Sequence, residues 1–172
     1  MDVLELKRFT LRPLRKSDIP AWARKINSPK MYRALGEIPF PFHEKHAEEM
    51  LARVRKEARK KQPRMFLLAI VIDGELAGCI GFESIDKHKA ELGFWLGEEY
   101  WGQGIMTQAI RLFTRYGMDR FGLRRVYAYI FPFNRASMRV LEKAGYKKEG
   151  VLRKDFEKNG KFSDFHVYAK VR

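Results

Sequence analysis

Two glycines, Gly102 and Gly104, stand in the stretch AELGFWLGEEYWGQGIMT, between an apolar run and the start of a long amphipathic pattern. That arrangement can hold an anion. Amides that open a helix have no partner inside it, and the aligned peptide dipoles add roughly half a positive charge there. Glycine removes the Cβ that would keep a phosphate off the backbone. The amides of Trp101, Gly102, Gln103, Gly104, Ile105 and Met106 therefore form a row on which a pyrophosphate could rest. The same spacing also serves a tight strand-to-helix turn with no ligand. It is neither GxxxxGK[ST] nor the full GxGxxG of a dinucleotide fold. Three further side chains could act on a reacting group: Glu91, on the strand that runs into this turn, and Asn134 with Ser137, at the start of a later helix. Read locally, Asn134 is a helix cap and Ser137 a polar first-turn residue.

The wording around these residues resembles the GNAT superfamily of acetyl-CoA-dependent N-acetyltransferases. The acyl-donor loop of that family reads [Arg/Gln]-x-x-Gly-x-[Gly/Ala], and the corresponding places are Glu99, Gly102 and Gly104. Tyr100 to Gly104 is similar to the Tyr-Trp-Gly-x-Gly turn of the ribosomal-protein alanine N-acetyltransferases, and the likeness extends from LKRFTLRPLRKSDI to the last strand. Glu99 departs from the pattern, which leaves the pyrophosphate to backbone amides. The resemblance implies a GNAT-like α/β domain spanning 1–172, acetyl-CoA as co-substrate and no metal. It implies that the backbone of Phe94, Trp95 and Leu96 meets the thioester carbonyl. It also places the Asn134 amide on the pantetheine arm and the Ser137 hydroxyl where it can protonate the leaving sulfur. The acceptor it implies is the N-terminal α-amino group of a protein or peptide, with a ribosomal protein as the model case.

Acetyl transfer to an amine also needs a group that removes the proton from nitrogen. Glu91 is the first choice, acting directly or through a water, and an exposed strand glutamate is the rival reading. Asp155 and Glu157 come second, with Phe156 at the nearest equivalent place in relatives, and Asp164 is assigned to ordering the final hairpin. Two other functions compete. A polyamine acetyltransferase has a similar motif with a tyrosine seven residues after the asparagine, a place taken here by Leu141. Its polycationic substrate would meet a chain with a net charge of +14, whose obvious acidic cluster is Glu44, Glu48 and Glu49. A nucleic-acid or ribosome-binding module could use the same charge with Tyr127, Tyr129 and Phe131 as stacking residues. Those aromatics alternate on a central strand, so core packing is expected and nucleic acid is not the expected partner.

Composition bounds rather than identifies. Lys plus Arg number 35 against 21 acids in 172 residues, a balance that draws polyanions or simply solubilises a surface. The single Cys79 allows no internal disulfide and no multi-cysteine metal site. His43 and His46 share a helical face but have no evident third ligand. Without a long apolar run or a leader pattern beginning at Met1-Asp2-Val3, no membrane association is expected, and the cytoplasm is the expected location. A homodimer is one of the assemblies left open.

Elements must position these groups. LELKRFTLRPL alternates as a strand ending at Pro13, and Ser17-Asp18 caps a helix through Ile26. Asn27 to Phe42 reads as a loop broken by helical turns, in which Met31, Tyr32, Phe40 and Phe42 either line the acceptor wall implied by the resemblance or anchor the loop. Helical spacing covers His43–Lys61, Ile105–Phe121 and the segment from Asn134 to Gly145. Hairpins are expected at Asp73-Gly74 and Asn159-Gly160. Strands alternating with helices over residues 90 to 146 predict a crossover between parallel neighbours, and hence a central twisted mixed β-sheet flanked by helices.

Overall fold

The computed structural model describes residues 3–36 and 38–172; Met1 and Asp2, on which the reading of the N-terminus partly rests, lie outside them. Among the described residues, eight strands and five α-helices follow in chain order. They are β1 (Leu4–Leu6), β2 (Phe9–Pro13), α1 (Ile19–Ile26), α2 (Pro29–Ala34), α3 (Glu44–Ala58), β3 (Phe66–Ile72), β4 (Glu75–Asp86), β5 (Lys89–Leu96), α4 (Ile105–Phe121), β6 (Arg125–Ile130), α5 (Arg135–Lys143), β7 (Lys147–Lys158) and β8 (Lys161–Val171). Hydrogen-bonded neighbours run β1-β2-β3-β4-β5-β6-β8-β7. β5 pairs with β6 in parallel, Glu91 opposite Tyr127, so the sheet is mixed as expected.

Two compact units make up the chain: Met1–Ser84 with Gly93–Ile105, and Ile85–Leu92 with Met106–Arg172. In the first, the opening run is two strands rather than one, with Leu6 paired to Phe9 and Leu4 to Leu11. The apolar positions shift phase at Lys7-Arg8, from Leu4 and Leu6 to Phe9 and Leu11, and this slip marks the turn. Asp18 does not cap α1 with its side chain. Its carboxylate instead takes two hydrogen bonds from the buried Arg12 guanidinium, at 2.8 and 2.7 Å, and one from the Arg15 amide. The core around it contains Trp22, Met31, Phe42, Leu51 and Cys79. Met31 and Phe42 therefore anchor the loop, whereas Phe40 is 48% exposed and packs its ring 5.0 Å from that of Tyr32. α3 ends three residues before the expected Lys61. At its start the His43 amide donates to Nδ1 of His46 at 2.9 Å, so the two histidines close the helix end.

In the second unit, β6 buries Val126, Ala128 and Ile130 on one face and leaves Tyr127 and Tyr129 half-buried on the other. The expectation that these tyrosines pack as core fails because the small and branched residues occupy that side. Tyr146 is buried and its hydroxyl lies 2.6 Å from that of Thr114. The last hairpin turns at Asn159 and Gly160, both with positive φ.

Candidate active site

The donor turn belongs to the first unit. β5 ends in Phe94, Trp95 and Leu96, and the Gly97 amide then donates to the Ala77 carbonyl at 2.8 Å. Gly78 on β4 lies so close to this strand that a Cβ there would sit 2.3 Å from the Trp95 carbonyl oxygen. A single 3-10 turn, Glu98–Tyr100, follows. The Trp101 indole donates to the Leu96 carbonyl at 2.6 Å and its ring is 43% exposed. Gly102 and Gly104 have φ of +73° and +76°, and nothing lies within 4 Å of where their Cβ atoms would be. Glycine is thus demanded by the backbone, and open space remains beside it.

One amide of the expected row is already used: Trp101 N–H donates to the Glu98 carbonyl at 3.1 Å. This leaves Gly102, Gln103, Gly104, Ile105 and Met106, the last two at the start of α4, where helix geometry supplies no internal acceptor. A row of amides at a helix start, beside glycine, suits an anion such as a pyrophosphate. Glu99 is not turned toward it. Its carboxylate meets Lys25 of α1, whose side chain is only 8% exposed and also reaches Glu75 at 3.1 Å. Nothing in the sequence around Lys25 marks it for this place, since its partners are 50 and 74 residues distant.

The second unit carries the remaining residues. Asn134 caps α5, its side-chain oxygen accepting from the Ser137 amide at 3.1 Å. The cap uses the oxygen of Asn134 and leaves its NH2 group as a donor, so capping and ligand binding are compatible. Ser137 is half-buried on the first turn. Glu91 is half-buried on β5 and stands in register with Tyr127. Burial first, and the Glu91 charge second, push the Tyr127 and Tyr129 hydroxyls above the usual phenol range. Tyr129 stacks on Phe165 at 5.6 Å, and Phe131, Phe156 and Phe165 pack at 4.8 to 5.3 Å. An acid beside two tyrosines is a surface that accepts a cationic amine.

Phe156 is thus a packing residue, and Asp155 is exposed on β7 with its charge felt at Tyr129. Asp164 accepts from the Lys154 amide at 2.8 Å and orders the hairpin, as expected. Cys79 is buried, and burial pushes its thiol well above the usual range, so it is an inert core residue. Among the described residues, no three His, Cys, Asp or Glu side chains gather as a metal site, and no helix is long and apolar enough to cross a membrane.

The profile of the acetyltransferase (GNAT) domain family matches residues 8–147. An uncharacterized N-acetyltransferase, p20, of Bacillus licheniformis is 27% identical over 175 residues, covering 100% of this chain and 97% of that protein. The ribosomal-protein-serine acetyltransferase of Escherichia coli K12 is 32% identical across 63% of this chain and 60% of its own length. The spermidine N(1)-acetyltransferase of the same strain is 27% identical, with coverages of 88% and 80%. The structure is similar to that of Mycobacterium smegmatis RimJ in complex with CoA-disulfide, with a TM-score of 0.87, 25% identity and coverage of 99% of this chain and 87% of that one. In fold alone it is also similar to the ribosomal-protein-S5-alanine acetyltransferase of Vibrio fischeri, with a TM-score of 0.88, 22% identity and coverages of 99% and 97%.

Proposed function

Because this chain belongs to the GNAT family of acetyl-CoA-dependent N-acetyltransferases, we propose that residues 1–172 act as one such domain whose acceptor is the N-terminal α-amino group of a protein. A ribosomal protein is the model acceptor, and transfer is direct. The observation that carries the choice of acceptor is Leu141. It is fully buried in α5 at the place where the polyamine pattern needs a proton-donating tyrosine. The kinship with a ribosomal-protein-serine acetyltransferase supports the same reading. The spermidine acetyltransferase relative keeps a polyamine as the second reading. Glu44, Glu48 and Glu49 are exposed on α3 and form no enclosed acidic seat for one.

Acetyl-CoA supplies the activated acetyl thioester. Gly102 to Met106 hold its pyrophosphate through backbone amides, and Asn134 holds the pantetheine arm through its side-chain NH2. Glu91 takes the proton from the acceptor ammonium, directly or through a water, beside Tyr127 and Tyr129. The freed nitrogen forms a bond to the acetyl carbon while the carbon–sulfur bond breaks. N–H groups of Phe94, Trp95 and Leu96 bind the carbonyl oxygen as it gains charge. Ser137 gives its hydroxyl proton to the departing sulfur and regains one from the second proton that the nitrogen sheds on becoming an amide. A buried, inert Cys79 offers no acyl relay, which favours direct transfer.

Release of free CoA thiol from acetyl-CoA tests this, measured with short peptides beginning Ala, Ser, Met or Thr beside spermidine. Peptide-dependent release supports the proposal, and the preferred first residue narrows the acceptor. Release with spermidine alone replaces it with the polyamine reading.

A further inference from the structure

The three residues that lead into the donor turn are each held by α1 or the start of α2. Glu98 accepts from the Ser28 hydroxyl at 2.6 Å and from Lys30 at 3.0 Å. Glu99 is paired with Lys25, and the Lys25 ammonium also lies 5.0 Å from the centre of the Tyr100 ring. Beyond the first glycine, Gln103 is held in turn by Arg8, which donates to its backbone and side-chain oxygens at 3.0 and 2.9 Å. The Gln103 side-chain NH2 then donates to the Glu99 carbonyl at 3.0 Å, which joins the two holds. Trp101 and Gly102 lie between the two holds and Gly104 follows the second, and the two glycines are the most conformationally free residues of the turn.

Glu99 presents a problem that Lys25 answers. A carboxylate three residues before Gly102 would repel a pyrophosphate lying on the amides that follow, and an ammonium seated against it removes that charge. The seat itself is built for a cation. Burial works against the charge of Lys25, but the hydrogen bonds it donates to Glu99 and Glu75 outweigh it and keep the lysine protonated. A nearly buried ammonium between two carboxylates is costly to form and directional once formed, so it fixes geometry more than it adds stability.

We propose that Lys25 is a positioning residue for the acetyl-CoA turn, neutralising Glu99 and fixing the direction of the amides from Gly102 to Met106. This rests on the proposed reading that those amides hold the pyrophosphate. Rigidity set before binding leaves less freedom to be lost when the ligand arrives.

Titration calorimetry of acetyl-CoA at moderate salt tests the assignment without any acceptor. In Lys25→Met the dissociation constant should rise about tenfold, the scale of one lost charge-assisted hydrogen bond. Lys25→Arg should bind nearly as wild type does. Adding Glu99→Gln to Lys25→Met should recover most of the loss, because the unpaired carboxylate is then gone. A purely structural lysine would lower the melting temperature without this pattern. If Lys25→Met yields no folded protein, Lys25→Gln, which keeps hydrogen bonding without charge, is read in the same way. A folded Lys25 variant with a dissociation constant within about twofold of wild type overturns the assignment, as does a double variant no better than Lys25→Met. Gly104→Val, run in parallel, separates the two levels. Should it bind acetyl-CoA normally, the reading of the turn fails and this inference with it. Should it lose binding while Lys25→Met does not, only the inference fails.

Discussion

The donor turn and the β6 face of the second unit are organised by different forces. The turn is backbone chemistry: two glycines at positive φ and a row of amides, held from outside by charge pairs through Lys25 and Lys30 and by hydrogen bonds from Arg8. The β6 face is side-chain chemistry, with Glu91 in register with Tyr127, and Tyr129 resting on a cluster of Phe131, Phe156 and Phe165. A pyrophosphate is the same in every acetyl-CoA, and invariant backbone can serve it. Acceptor amines differ, and exposed side chains can be exchanged without disturbing the strand that carries them.

Four substitutions and a pH change separate these two regions, from the largest effect to the smallest. Gly104→Val should abolish acetyl-CoA binding by calorimetry, since φ of +76° strains a branched residue and the side chain fills the open space beside the amides. Glu91→Gln should lower kcat by about 100-fold or more while acetyl-CoA affinity holds, as expected for a lost proton acceptor. An unchanged kcat would move the base to Asp155. Gly78→Ala should destabilise by about 1–3 kcal/mol in denaturant unfolding, because the new Cβ meets the Trp95 carbonyl oxygen and backbone must move. Ser137→Ala should cut turnover about tenfold with acetyl-CoA affinity nearly intact, and full turnover would remove its role as acid.

The smallest effect comes from acid. Glu75 is held below the ordinary carboxylate value by Lys25 and then Arg24, and Glu98 by the Ser28 hydroxyl and then Lys30. For Glu99, burial pushes upward, and the Lys25 hydrogen bond more than reverses it. Folded values below the unfolded ones mean that this stabilisation is full above the ordinary 4.5 and is lost as pH falls through the lower, folded values. The pairs are partly exposed, so the fall is modest. Melting temperature followed from about pH 6 down to about pH 3.5 should fall less in Lys25→Met than in wild type, because the mutant lacks part of this term before acid removes it.

Much of the fold could be read locally. Strand-forming runs on either side of Asp73-Gly74 placed β3 and β4, alternation placed β6, helical spacing placed α3 and α4, and Asn159-Gly160 marked the last turn. The first hairpin was missed, although the phase slip between Leu6 and Phe9 records it. At the candidate site, Gly102, Gly104 and Asn134 were legible because a positive φ, a helix start and a cap are conditions on a residue and its near neighbours. Which face of β6 turned inward was not, because alternation shows that two faces differ without saying which packs against the core.

Residue order alone thus set the turn, its glycines and the capped helix, through local steric and hydrogen-bonding demands that hold wherever the segment lies. Folding settled the partners. Lys25 could have met any of the chain's acids, and it meets Glu75 and Glu99 because α1 is brought against β4 and the turn that follows β5. Trp101 spends its amide on Glu98, and Glu91 acquires two tyrosines as neighbours. Charge and hydrogen bonding act through space, so a partner 74 residues away leaves no periodicity along the chain to be read.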